Sequence, residues 1–135
     1  MKALDTSVLL ALLEGSRPAR ALVTHLRGVE LATTEVNLLE LAYLAARGPP
    51  RSRTARRGTL DRLRRKITVL PIDSRAGEQA ARALSKGSAK TPASVLAMLS
   101  ALEANGCDEL FTQDGGLEPG NWSFKITRFV DRDAK

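Results

Sequence analysis

The feature that most constrains this chain is an alternation of short apolar runs with longer helical patterns. Residues 2–5, 29–32, 67–72, 109–112 and 125–130 read as strands, and the stretches between them carry apolar residues at three- and four-residue spacing. Strands joined through helices pair in parallel, because a parallel neighbour needs a crossover, and both faces of such a sheet are covered. The expected fold class is therefore α/β: one domain over residues 1–130, with a central parallel sheet of four to five strands flanked by helices. The polar residues 131–135 are expected to form a disordered tail. A length of 135 residues suits a single domain.

Helix boundaries follow from local signals. A first helix is expected over 6–14, and a second runs to Arg27 with Pro18 in its first turn and Gly28 behind it. Thr33 or Thr34 caps a third, which Gly48-Pro49-Pro50 stops. Residues 51–66 read as a weakly amphipathic exposed helix with Gly58 as a point of interruption. Asp73 or Ser74 caps a fifth helix, residues 85–90 read as a loop, and Thr91 caps a sixth with Pro92 at its first position.

Composition closes off several functions. One cysteine and one histidine cannot supply the four ligands of a zinc finger. Cys107 is expected to be a buried thiol, and His25 a surface or half-buried side chain without a nucleophile to serve. A lone cysteine, no apolar run near the ~20 residues of a membrane span and no export signal place the expected location in the cytoplasm, away from membranes. A net charge of +6 favours an anionic partner.

Three acids stand at informative places. Asp5 ends the first strand, Glu40 lies between Leu39 and Leu41 in an apolar helix, and Asp114 follows Leu110-Phe111-Thr112-Gln113. Carboxylates at the carboxyl ends of buried strands are what a divalent-metal site requires. Structural readings stand beside this one. Asp5 would serve as a helix cap, Glu40 as the partner of an arginine, and Asp114 as a turn residue before Gly115-Gly116. Glu35 reads as complementing the helix dipole. Asp108 and Glu109 precede their strand and belong to the far side of the sheet.

Taken in order, these pieces resemble the PIN-domain family, and more narrowly the VapC-type toxins of prokaryotic toxin–antitoxin pairs. Leu4-Asp5-Thr6-Ser7 matches the family's opening, and Thr34 followed by Glu40-Leu41 its second pattern. Ala101-Leu102-Glu103, Gly106 and Thr112-Gln113-Asp114 match its late one. The resemblance implies a metal-dependent endoribonuclease using Mg²⁺ or Mn²⁺. Asp5 and Asp114 are then expected as ligands, and Glu40 as a ligand or as the group that orients the attacking water. Thr6, Ser7 and Thr112 are the hydroxyls expected to orient them. It also implies an RNA substrate, a cognate antitoxin protein and a homodimer.

The resemblance breaks at one position. The family carries an aspartate nine residues before the glutamate of Ala-Leu-Glu, and counting back from Glu103 gives Ser94. A neutral hydroxyl removes a negative charge from the site, and Glu118 is the nearest acid in the later loop to compensate. Two readings follow: a nuclease weakened by Ser94, or a degenerate, non-catalytic PIN domain that binds RNA or a protein partner.

Residues 51–66 hold Arg51, Arg53, Arg56, Arg57, Arg62, Arg64, Arg65 and Lys66 against one acid, Asp61. Such a segment is either a solvated face or a surface for RNA phosphates or an acidic antitoxin segment; arginine's bidentate geometry favours the second. No aromatic residue lies nearby, which argues against a base-stacking platform.

Overall fold

The computed structural model describes residues 1–87, 90–117 and 122–129, apart from the side chains of residues 50 and 51. The expected tail at 131–135, and Glu118, lie outside the described residues. The elements are β1 (Lys2–Leu4), α1 (Thr6–Leu13), α2 (Arg17–His25), β2 (Leu31–Thr34), α3 (Glu35–Ala46), α4 (Pro50–Lys66), β3 (Thr68–Leu70), α5 (Ser74–Ser85), α6 (Ala93–Ala104), β4 (Glu109–Thr112) and β5 (Lys125–Arg128). The strands form one sheet in the order β3-β2-β1-β4-β5, and every neighbouring pair is parallel. The expected α/β class and parallel sheet are thus the observed ones, with five strands among the described residues.

That order places the site. The chain builds outward from β1 through β2 to β3, then returns to lay β4 on the opposite side of β1. Connections therefore diverge between β1 and β4, and such a switch point leaves a crevice at the carboxyl ends of the strands. Asp5 follows β1 directly, and Gln113 and Asp114 follow β4.

Alternation along the strands supplies two cores. Ala3, Ala32, Leu70 and Leu110 face Met98, Leu99 and Leu102 of α6. Leu4 and Phe111 face the other way, onto Val8 and Leu9 of α1, Leu41 of α3 and Leu60 of α4. Leu4, Leu9, Leu41, Leu102 and Leu110 are fully buried, each contributing about 1.5–3 kcal/mol of burial. Cys107 is buried as expected, and burial pushes its thiol up to about 11. His25 is exposed at the end of α2.

Several boundaries differ from expectation. β2 lies two residues later than the expected 29–32, because Val29 N–H closes the turn onto the Leu26 carbonyl. Thr33 and Thr34 then continue the strand, as β-branched residues suit, and Thr34 caps α3 with no loop between. The strand expected over 67–72 contracts to β3, with Ile67 serving as the C-cap of α4. α4 runs unbroken through Gly58. Thr91 does not cap α6: Pro92, at φ −56° and ψ 145°, is the cap residue, without a side-chain bond, and its carbonyl accepts the first helical bond from Leu96. Among the described residues no helix is long and apolar enough to cross a membrane.

Candidate metal centre

Asp5 is held on all sides. Its extended backbone makes it the N-cap of α1, and its Oδ1 accepts the Val8 N–H at 3.2 Å. The same oxygen accepts the Ser7 hydroxyl, and Oδ2 accepts the Thr112 hydroxyl. These hydroxyls cannot turn away. Ser7 Oγ accepts the Gln113 N–H at 2.9 Å and Thr112 Oγ1 the Asp114 N–H at 2.9 Å. A backbone N–H only donates, so each hydroxyl spends its own proton on Asp5. The cap reading of Asp5 is therefore real, and it coexists with a second property. The side chain is only 6% exposed and has no cationic partner among the described residues. Burial raises its pKa above the usual carboxylate value, against the lowering effect of the Ser7 and Thr112 bonds.

Glu40 arrives from α3. Its apolar neighbours in sequence do not bury it; the side chain is exposed, and Leu39 beside it is 70% exposed. No arginine pairs with it among the described residues, and its Oε1 accepts the Thr6 hydroxyl at 3.0 Å. Asp114 is exposed after β4, where its Oδ1 accepts the Gly116 N–H at 2.8 Å, so the turn role is also real. Glu35, expected to serve only the helix dipole, accepts the Ile72 N–H at 2.8 Å and ties α3 to the end of β3.

Asp5, Glu40 and Asp114 line one cavity of about 330 Å³, together with Thr6, Ser7 and Ser94. Asn37, Met98 and the apolar side chains of Leu10, Leu44, Val95 and Leu117 line the rest of it. The polar donors on this cavity are carboxylate, hydroxyl and amide groups, a set suited to a hard cation and unsuited to a soft one. Among the described residues no three His, Cys, Asp or Glu side chains gather into a group that would hold an ion by themselves. The donor set fits Mg²⁺, which binds through one or two carboxylates and completes its sphere with water and substrate phosphate.

Asn37 is the residue that sequence reasoning missed. It is 3% exposed and forms a capping box with Thr34. The signal was present as Thr34-Glu35-Val36-Asn37, a capping box closed by an amide in place of the usual Glu or Gln.

Most of the expected arginine surface lies on α4. Arg53, Arg57 and Arg64 line a second cleft of about 390 Å³ together with one acid, Asp61, and the apolar side chains of Ala42, Ala45, Ala46 and Leu60. Arg53 also donates to the Gly48 carbonyl at 3.1 Å, and Arg56 lies so close over Gly48 that a Cβ there would meet its guanidinium at 1.2 Å. Arg62 bonds Thr59 and Arg65 is exposed. The Arg51 side chain lies outside the described residues. No α4 arginine is in an ion pair among the described residues.

A family model described as the PIN domain matches residues 2–118. No curated protein matches the sequence. Among solved structures, VapBC2 from Rickettsia felis, bound to a DNA fragment from its promoter, superposes with a TM-score of 0.79 at 12% identity, covering 96% of this chain and 98% of that one. VapBC-5 from Mycobacterium tuberculosis gives a TM-score of 0.68 at 26% identity, over 94% and 97%. VapC20 from the same organism, a Sarcin-Ricin loop cleaving toxin, gives 0.66 at 19% identity, over 93% and 99%.

Proposed function

Because this chain belongs to the PIN-domain family, we propose that it is a Mg²⁺- or Mn²⁺-dependent endoribonuclease of the toxin–antitoxin type, weakened by Ser94. The observation that carries the proposal is the shared cavity: acids 5, 40 and 114, far apart in sequence, line it at the switch point of the sheet. Asp5 and Asp114 are the residues that would hold the ion, and Glu40 either joins them or orients the attacking water. A bound ion supplies positive charge for the scissile phosphate and makes water more acidic. Ser7 and Thr112 keep Asp5 aimed by committing their protons to it, and Thr6 does the same for Glu40. Ser94 adds a hydroxyl to the rim where a carboxylate would add charge.

RNA fits the charge of the molecule. Exposed arginines along α4, none of them in an ion pair among the described residues, would provide phosphate contacts, and the net charge of +6 draws a polyanion toward the cavity. The arginine-walled cleft between α3 and α4 suits an acidic segment of an antitoxin. Leu39, Tyr43 and Leu44 are exposed on α3, which supports a homodimer. We place the protein in the cytoplasm with its RNA substrate.

The second reading, a non-catalytic PIN domain that binds RNA or a protein partner, draws on Ser94 and on the lack of a three-acid group among the described residues. Calorimetry with Mn²⁺, beside cleavage of a structured RNA with and without chelator, separates the two. The nuclease reading expects Mn²⁺ binding and chelator-sensitive cleavage, both lost in Asp5→Asn. RNA binding without ion uptake at millimolar Mn²⁺ overturns it in favour of the second reading.

A further inference from the structure

We infer that Asn37 is a positioning residue for Glu40, acting through the Thr6 hydroxyl; this rests on the metal-centre reading above. Hydrogen-bond polarity forces this role. The Thr34 N–H lies 3.3 Å from one end of the Asn37 carboxamide. An N–H can only donate, so that end must be the oxygen. The same oxygen accepts the Thr34 hydroxyl at 2.7 Å. The amide nitrogen therefore points the other way, donating to Thr6 Oγ1 at 3.1 Å and to Met98 Sδ at 3.2 Å.

With its nitrogen fixed, Asn37 dictates what Thr6 does. An amide nitrogen cannot accept, so Thr6 Oγ1 must accept from it and send its single proton elsewhere. Two acceptors are within reach: Glu40 Oε1 at 3.0 Å and the Asn37 carbonyl at 3.5 Å. The shorter bond to a carboxylate takes the proton. Glu40 is exposed and has no other hydrogen-bond partner among the described residues. A long exposed carboxylate samples several rotamers unless something restrains it, and the Thr6 hydroxyl is that restraint. Asn37 has every donor and acceptor of its amide engaged while nearly fully buried, so its own orientation does not drift. Its bond to Met98 also reaches α6 one turn from Ser94, linking the two walls of the cavity.

The test uses the full chain and two readouts. In the metal-free protein, three-bond couplings are expected to report one dominant Glu40 χ1 rotamer in the wild type. Rotamer averaging is expected in Asn37→Ala and Thr6→Val, with restoration in Thr6→Ser. Thr6→Val leaves the Thr34–Asn37 cap intact, so it keeps the test valid if Asn37→Ala unfolds. Mn²⁺ titration then asks whether the restraint matters at the site. Asn37→Ala is expected to weaken Mn²⁺ binding about tenfold, and by less than about twofold in a Glu40→Gln background, since a residue acting through Glu40 has nothing left to position there. Equal weakening in both backgrounds means a general structural effect and overturns the inference. So does an unchanged Glu40 rotamer in both Asn37→Ala and Thr6→Val. If the wild type takes up no Mn²⁺, the metal-centre reading fails while the couplings still decide whether Asn37 restrains Glu40.

Discussion

Two groups of acids, one at each edge of the sheet, are used in opposite ways. At the amino edge, Asp108 and Glu109 both meet Lys2 Nζ, at 3.2 and 2.9 Å, and the amino terminus stands 3.6 Å from Asp108. The Lys2 bond holds the Asp108 carboxyl below its usual range. Burial works against ionisation of Glu109, yet bonds from Thr127 and Lys2 together keep it low as well. At the carboxyl edge, Asp5, Glu40 and Asp114 are met by hydroxyls and backbone N–H groups, with no lysine or arginine paired to them among the described residues. Asp108 and Glu109 are neutralised internally, as Asp73 beyond β3 is by Arg75 at 3.3 Å. The cavity acids are left to be neutralised by something that arrives.

Neutralising one acid in each group separates the two most clearly. Asp5→Asn is expected to lower Mn²⁺ affinity by roughly 100-fold and RNA cleavage with it, whereas Asp108→Asn should leave both within about twofold. Comparable losses from the two substitutions would erase the distinction between the edges. Ser94→Asp sharpens the comparison from the other side. It adds a carboxylate to the unpaired edge, and Mn²⁺ affinity and cleavage are expected to rise about tenfold, since ligand charge sets affinity for hard cations. Equal rates in parent and variant would mean that the cavity does not need a fourth acid.

Stability should not follow function. Asp5 is buried without a counter-charge, which costs free energy in the metal-free fold, and Asn still caps a helix well, but an Asn amide nitrogen would face a hydroxyl whose proton is already committed. The two effects oppose each other, so metal-free Asp5→Asn is expected to melt within about 1 kcal/mol of the wild type. Asp108→Asn is expected to melt lower. Its carboxyl is 61% exposed, so screening holds the loss below about 1 kcal/mol. The pH dependence of that loss follows from the depressed pKa of Asp108. A carboxylate with a lowered folded value stabilises the fold above its unfolded pKa of about 3.9, and that contribution disappears as the pH falls through the folded value. Melting curves of wild type and Asp108→Asn should converge under those acidic conditions. A constant gap down to the lowest pH would show that the ion pair is not the cause.

Much of this contrast was legible in the sequence. The position of Asp5 after a short strand, and of Asp114 after Thr112, is a matter of period and termination, which local signals report well. Asp108 and Glu109 read as belonging to the far edge, and they are found there, Asp108 just before β4 and Glu109 as its first residue. Glu40 was legible in position and not in environment. Leu39 and Tyr43 are largely exposed on the same helix, and a run of apolar residues does not reveal which of them face solvent. Asn37 was missed because an asparagine near a helix start is explained by capping alone. Its partners Thr6 and Met98 lie 31 and 61 residues away, and no local pattern predicts such contacts. The start of α6 was misplaced by one residue: Thr91 was expected as the cap with Pro92 at the first position, and only the backbone geometry shows that the helix begins after the proline.

Anomalous diffraction at the manganese edge, from crystals soaked in Mn²⁺, tests the central contrast most directly. The account predicts a peak in the cavity bounded by the side chains of Asp5, Glu40 and Asp114, and none beside Asp108 and Glu109. An empty cavity at millimolar Mn²⁺, or a peak at the amino edge instead, would contradict it.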